Sequence, residues 1–320
     1  GREHPARGAR RGPDHRRGHT VSLRHFLEID DLSAAELGDV LRRAAAPPVE
    51  RPLAGRTVGL YFEKPSLRTR HSCEVAVVQL GGHPVTFRRD EVGSGEREPI
   101  ADIARVLSGY HAALGGRVFD HDVLDELAGA AAIPVVNLLS DRGHPCQALA
   151  DLLTMRETLG ELAGAAVAWV GDFNNVARSL SIGATMLGMK LQLACPPGYG
   201  PGGDDLDRLR ARGGEPLVTG RPEEAVAGAA AVHTDVWASM GQEDEAEARS
   251  RAFEGFSVDD RLMAAAAPGA VFMHCMPAHR GEEAAASVVD GPQSRMILQA
   301  HNRLHSMRGL LSWVLEQSGP

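Results

Sequence analysis

Short apolar runs along the chain alternate with longer stretches whose apolar residues recur every three or four positions. RTVGLYF (56–62), AALGGRVF (112–119) and IPVVNLL (133–139) read as strands, since near-continuous apolar runs of this length suit a strand buried on both faces. SLRTRHSCEVAVVQLGG, which closes on a glycine pair, reads as a helix, as do IADIARVLSGY (100–110) and HPCQALADLLTMRETLG (144–160). The alternation resumes with AAVAWVGD (165–172), MKLQLAC (189–195), AAVHTDVW (230–237) and AVFMHCM (270–276), separated by Ala-rich helical stretches. It ends in a helical pattern from about Gln293 to Glu316. Two series of strand–helix units, hinged around the 144–160 helix, predict an α/β fold of two domains, each a parallel sheet flanked by helices. Ligands of such folds sit at the carboxyl ends of strands, so the active site is expected in the interdomain cleft.

Composition changes this picture in a few places only. With 320 residues, 43% hydrophobic and 24% charged, the chain has the length of two globular domains and the balance of a folded protein. Aromatic residues make up 4%, so Ala, Val and Leu must build the core. The sequence contains no uncharged apolar run of 18 residues, so no membrane partner is expected. Residues 1–20 hold six arginines against Glu3 and Asp14 and lack an apolar signal region; they are expected to form a disordered N-terminal extension, with ordered chain from near Val21. The formal net charge is −8, and without that segment the body carries about −12, a poor field for nucleic acid. An anionic ligand must therefore be held by a local basic cluster. Lys64 and Lys190 are the only lysines among 34 basic residues, so arginine has to supply it. Four widely spaced cysteines without a C-x-x-C pair argue against a disulfide framework and suit a reducing, cytoplasmic setting.

The polar motifs fall just after predicted strands. In Phe62-Glu63-Lys64-Pro65-Ser66-Leu67-Arg68-Thr69-Arg70, Ser66 is a good N-cap, and the first helical turn offers unpaired N–H groups beside the Ser66 and Thr69 hydroxyls and the Arg68 guanidinium. That is the chemistry of a phosphate cradle; the plainer reading is a capped helix with an Arg70–Glu74 pair on its surface. Neither G-x-x-x-x-G-K-[ST] nor G-x-G-x-x-G occurs, so nucleotide binding is not indicated. In Gly143-His144-Pro145-Cys146-Gln147 the His and Gln are three apart at a helix start and can face one ligand, although a lone His there is often structural. Asp172-Phe173-Asn174-Asn175 offers two amides, of which an Asx turn and N-cap account for one. Asp235-Val236-Trp237-Ala238-Ser239-Met240-Gly241 sets a carboxylate and a polar loop at a strand end, suited to an amino acid's ammonium or else simply a surface loop. His274-Cys275-Met276-Pro277 ends another strand. Alternation sends His274 and Cys275 to opposite faces, so no metal is expected there.

As a set these motifs resemble the ornithine carbamoyltransferases, from about Arg24 to Leu315. S-x-R-T-R and H-P-x-Q are shared with the wider carbamoyltransferase superfamily, whereas D-x-W-x-S-M-G and H-C-x-P are particular to the ornithine branch. The resemblance implies a carbamoyl phosphate-binding domain over 21–155, rejoined by the C-terminal helix (about 301–320), an ornithine-binding domain over 156–300, and a homotrimer with sites near subunit interfaces. Carried over by position, Ser66, Leu67, Arg68, Thr69, Arg117, His144, Gln147, Cys275 and Arg303 look like carbamoyl phosphate contacts. Among them, Arg117, His144, Cys275 and Arg303 are implied to be catalytic. Asn175, Asp235, Ser239 and Met240 look like the ornithine site.

The implied reaction joins the carbamoyl group of carbamoyl phosphate to the δ-amine of L-ornithine, giving citrulline and phosphate for arginine biosynthesis, with no cofactor and no metal. The residue types suit electrostatic stabilisation of an oxyanion rather than covalent catalysis. Three positions and one loop depart from the pattern: Leu67 stands where Thr is common, Gly109 where Arg is common, and His301 where Glu precedes Asn302-Arg303, while the 91–98 loop lacks the usual basic residue unless Arg97 supplies it. The competing readings are a carbamoyltransferase for another amine (putrescine, N-acetylornithine or a secondary metabolite) and a weakly active ligand-binding paralogue.

Overall fold

The computed structural model describes residues 23–47, 50–93, 98–238 and 243–318. The expectations placed on residues 1–20, Arg97, Ser239 and Met240 lie outside these.

Among the described residues, nine strands form two parallel sheets. In the first, β1 (Thr57–Phe62), β2 (His83–Arg88), β3 (Ala113–Arg117) and β4 (Val135–Leu139) lie in the order β2-β1-β3-β4. In the second, β5 (Ala166–Val170), β6 (Lys190–Ala194), β7 (Leu217–Thr219), β8 (Ala231–Thr234) and β9 (Val271–His274) lie in the order β7-β6-β5-β8-β9. Both orders reverse direction once, between β1 and β3 and between β5 and β8. The strand ends diverge at those two points and open a crevice. The strands read from apolar runs are all present. β2 and β7 carry no such run, because both are edge strands: β2 begins His83-Pro84 and β7 is largely exposed.

Two helices join the halves. The bridging helix Pro145–Leu159 is buried continuously from Pro145 to Met155, which is why it carries no single amphipathic stripe. The C-terminal helix Met296–Gln317 packs against helices Ala34–Ala45, Leu67–Gln79 and Pro145–Leu159. As a result one apolar core runs from Val58 and Leu60 of β1, through Leu149 and Leu152 of the bridging helix, to Val167 and Trp169 of β5. Arg208, from the second half, adds ion pairs to Glu28 and Asp30 of the N-terminal segment. Separate apolar clusters line the outer faces, around Phe253 and Phe272 in the second half and around Leu114 and Leu124 in the first.

Close helix crossing depends on Gly309. A β-carbon there would stand 2.7 Å from the Ala44 nitrogen and 2.8 Å from the Val40 oxygen, backbone atoms that have no rotamer with which to yield. Alanine's gain in helix propensity, at most about 1 kcal/mol, is smaller than the overpacking cost. Gly309→Ala is therefore expected to destabilise the protein by about 1–3 kcal/mol, seen as a lower urea midpoint with unchanged slope.

Candidate active site

Each arm of the site begins at a strand end. After β1 the chain turns through Lys64 and Pro65 to Ser66, whose Oγ accepts the Thr69 N–H at 3.2 Å and caps helix Leu67–Gln79. The first-turn amides of that helix have no intrahelical carbonyl to meet and form the positive end of its dipole. Arg117 is the last residue of β3, where the register to β4 shifts between Gly116 and Arg117 and re-aims the side chain. After β4, His144 stands at the N-cap of the bridging helix with Pro145 at its first position, and Gln147 follows one turn on. Arg303 arrives from the C-terminal helix and donates through Nη2 to Thr69 Oγ1 at 2.8 Å and through Nη1 to Gln147 Oε1 at 2.5 Å.

The second sheet supplies the opposite wall. Asp235, just past β8, accepts the Cys275 thiol at 3.0 Å and the Val236 N–H at 2.9 Å on Oδ1, and the Asn174 amide at 2.8 Å on Oδ2. Asn175 instead donates to the Ser140 carbonyl of the first half at 2.6 Å. Arg68 crosses the cleft to donate to the Met276 carbonyl at 2.8 Å. Between the walls lies a cavity of about 550 Å³. Ser66, Leu67, Arg68, Thr69, Arg117, His144, Gln147, Asn175, Asp235, Cys275 and Arg303 all line it, so every candidate among the described residues reaches one space. A larger space of about 800 Å³ opens on the other side of the Lys64–Leu67 turn beside Arg70 and Arg88, but it is lined by the first half alone. Only the smaller cavity combines cations with the carboxylate and thiol, and the chemistry belongs there.

The electrostatics are those of an anion site. Lys64, Arg68, Arg117 and Arg303 face the same volume with Asp235 as the carboxylate on its lining. Burial, reinforced by Arg303 and Arg68, lowers Arg117 to about 10, and its buried Nε has no hydrogen-bond partner. Burial, with Arg117 beside it, also lowers Lys64. His144 is fully enclosed; desolvation and the positive field of Arg303, Arg117, Lys64 and Arg68 hold its pKa well below the usual imidazole value, so it is neutral. Cys275 is pushed the other way: burial and the adjacent Asp235 carboxylate hold its proton on sulfur. A thiol that donates to a carboxylate positions that carboxylate and is no nucleophile at neutral pH.

Among the described residues, two groups of side chains have the composition to hold a metal. The potential ligand atoms of Asp235, His274 and Cys275 lie within 4.8 Å of one another, because β9 ends at His274 and strand alternation no longer separates Cys275 from it. This corrects the expectation of opposite faces. Both nitrogens of His274 are nevertheless engaged, Nδ1 accepting from the Met276 N–H and Nε2 facing Glu283. His279, Glu282 and Glu283 form the second group, two of them exposed.

Comparison with known proteins agrees with this geometry. Residues 24–157 match the family model for the carbamoyl-P binding domain of aspartate/ornithine carbamoyltransferase, and residues 163–314 match that for its Asp/Orn binding domain. The chain belongs to the aspartate/ornithine carbamoyltransferase family. An ornithine carbamoyltransferase from Acidothermus cellulolyticus is 51% identical over 308 residues, covering 93% of this chain and 98% of that protein. The ornithine carbamoyltransferase structure from Pyrococcus furiosus superposes with a TM-score of 0.87 at 42% identity, covering 92% of this chain and 98% of that one. The structure from Thermus thermophilus gives 0.84 at 44% identity, covering 91% and 99%.

Two contributors escape a reading of the carbamoyltransferase motifs alone. Asn174 does double duty, accepting the Val176 and Ala177 N–H groups as an N-cap while its amide holds Asp235. The N-cap signal was visible in the sequence, but the reach across to β8 was not. Lys64 lies with its ammonium 4.6 Å from the Phe119 ring centroid; its signal was its rarity, one lysine of two, inside a motif.

These charges generate two expectations. Below pH 10 Arg117 is protonated in both folded and unfolded chains, and its lowered folded pKa means that the charge opposes folding throughout the neutral range. Arg117→Met should therefore raise the melting temperature of the unliganded protein by about 2–4 °C while abolishing the rise that saturating phosphate gives the parent protein. A lower melting temperature would show that the guanidinium stabilises the fold. At pH 8, iodoacetamide should label Cys275 at least about tenfold more slowly than free cysteine, as followed by mass spectrometry; equal rates would place a thiolate in the site.

Proposed function

We propose that this chain transfers the carbamoyl group of carbamoyl phosphate to the δ-amine of L-ornithine, giving L-citrulline and phosphate. The observation that carries this reading is the single cavity in which Lys64, Arg68 and Arg117 from the first half and Arg303 from the C-terminal helix face Asp235 and Cys275 from the second. A dianionic acyl phosphate satisfies the cations, and a free amino acid satisfies the carboxylate. The names of the family domains and of relatives at 42–51% identity support both substrates.

In this reading the Leu67–Gln79 helix start, with Ser66, Leu67, Arg68 and Thr69, receives the phosphate. His144 and Gln147 clamp the carbamoyl group, and Arg117 and Arg303 face its carbonyl oxygen and the leaving phosphate. The neutral δ-amine attacks the carbonyl carbon. A C–N bond forms, the C–O bond to phosphate breaks, and the amine's surplus proton passes to phosphate or water. Negative charge grows first on the carbonyl oxygen, then on phosphate, and fixed guanidinium and imidazole N–H groups meet it with little reorganisation. Holding both substrates in one cleft supplies the proximity term. Asp235, held by Asn174 and Cys275, anchors the α-ammonium, with Asn175, Ser239 and Met240 completing that end.

The same reading assigns carbamoyl phosphate to residues 21–155 with the C-terminal helix (about 301–320) and ornithine to 156–300. The packing of that helix against three helices of the first half supports the assignment. It extends to a cytoplasmic homotrimer serving arginine biosynthesis. Four free cysteines, three of them buried, suit a reducing compartment. Leu67, Val75 and Val78 are exposed along one face of helix Leu67–Gln79 beside edge strand β2, where Val85 is also exposed, and this apolar face supports subunit contact next to the site.

Product formation should be measured with carbamoyl phosphate and a panel of ornithine, N-acetylornithine, putrescine, lysine and aspartate. Ornithine should be preferred by at least about tenfold. Arg68→Ala and Asp235→Ala should each lower kcat/KM by about 10²–10³. Turnover of another amine in its place would retain the phosphate half of the reading and overturn the ornithine half.

A further inference from the structure

Beneath the cavity floor lies a buried polar chain that no contact to substrate explains. Asp151, two turns along the bridging helix and fully buried, accepts the Gln147 side-chain amide at 2.7 Å and the Gln299 side-chain amide at 2.6 Å, both on Oδ1. The other ends of those amides meet groups that can only donate. Gln147 Oε1 accepts from the Arg303 guanidinium at 2.5 Å, and Gln299 Oε1 accepts from the His274 backbone N–H at 2.9 Å. The remaining Gln299 N–H meets Nε2 of His233, whose Nδ1 lies 3.1 Å from the Thr234 carbonyl. An amide side chain can turn over and exchange oxygen for nitrogen, and only its partners decide which end points where. Here a carboxylate, which accepts only, stands between two amides whose far ends face obligate donors.

We infer that Asp151 is a positioning residue: it locks the Gln147 amide with its carbonyl oxygen toward the cavity, so that the site presents an acceptor to the NH₂ of the carbamoyl donor. The inference rests on the reading of carbamoyl phosphate as substrate. Gln147 Oε1 has two lone pairs and spends one on Arg303, leaving the other for an N–H donor. Turned over, the amide would aim N–H groups at Arg303 and at the substrate's NH₂, a clash of donors on both sides. Asp151 thus chooses an acyl phosphate bearing NH₂ over one bearing a methyl group or an oxygen, without touching it. Sequence reading passes over this residue because it lies inside an apolar helical run, where a carboxylate looks like an ordinary solvent-facing position.

The test uses a pair of unreactive ligands, phosphonoacetamide and phosphonoacetate, which share the phosphonate and differ in NH₂ against oxygen. Their dissociation constants are measured by calorimetry on the full chain. Asp151→Asn removes the obligate acceptor at nearly constant volume and should shift the ratio of the two constants by about tenfold against the amide, with phosphate affinity within about threefold of the parent. Gln299→Met, which breaks the other arm and keeps Asp151, should leave the ratio within about threefold of the parent. Should Asn prove too destabilising, as a thermal melt will show, Asp151→Ser allows the same comparison. An unchanged ratio in the Asp151 variant, or an equal shift in Gln299→Met, overturns the assignment in favour of a general packing role. Absence of carbamoyl transfer by the parent protein would overturn the functional reading instead, so the two failures are separable.

Discussion

Four cations confined with one carboxylate form an arrangement that would expand if the surrounding chain were soft. Two unit charges about 4 Å apart repel by about 4 kcal/mol even at an effective dielectric of 20. The lowered proton affinities of Arg117, Lys64 and Arg68 record that burial and their neighbours disfavour the charged forms. The rest of the structure is organised to hold them anyway. They come from three rigid elements: Lys64 and Arg68 from the turn and helix after β1, Arg117 from the bulged end of β3, and Arg303 from the C-terminal helix. Neutral acceptors engage the guanidinium groups of Arg68 and Arg303 without neutralising them, namely the Met276 carbonyl, the Thr69 hydroxyl and the Gln147 carbonyl. A neutral acceptor fixes direction and leaves the charge free to act on a ligand, whereas a carboxylate would have cancelled it.

This constraint also accounts for the protonation states around it. Buried and surrounded by cations, an imidazole cannot keep a second proton, so His144 works as a neutral hydrogen-bonding group. On the opposite wall, burial and then the Asp235 carboxylate raise the Cys275 thiol, as burial and then the cations lower His144. The cleft therefore has a positive side for the anionic donor and a negative side for the amino acid. The boundary between them follows the boundary between the two sheets. Domain architecture and charge separation are one design, because each sheet brings the strand ends of its own switch point to the crevice.

The parts legible in the sequence are those fixed by local rules. Buried parallel strands announced themselves as apolar runs, and Ser66, His144-Pro145 and Asn174 marked helix starts by capping chemistry that needs only a few neighbouring residues. Where two sequence-distant elements meet, the signal vanished. β2 and β7 are edge strands held by pairing rather than by apolar faces, and nothing in His83-Pro84 announces them. Alternation assigned His274 and Cys275 to opposite faces, a rule valid only inside the strand; β9 stops at His274 and the backbone turns. Asn174 was legible as a cap and illegible as a partner of Asp235, since the second role needs β5 and β8 side by side.

The buried carboxylate of Asp151 shows why such a site needs support beneath the residues that touch substrate. Its partners Gln147 and Gln299 belong to the bridging and C-terminal helices, and Gln299 in turn holds the His274 N–H at the end of β9. The chain Arg303–Gln147–Asp151–Gln299–His274 thus runs from the cation side of the cleft to the residue preceding Cys275 entirely through buried hydrogen bonds. Leaving a polar member of such a chain unpaired costs about 1–3 kcal/mol, so each link resists turning over. The two halves of the cleft are consequently held in register by polarity as well as by apolar packing. Packing alone fixes distance, but it cannot decide which end of an amide faces the ligand; an obligate acceptor at the centre of the chain can.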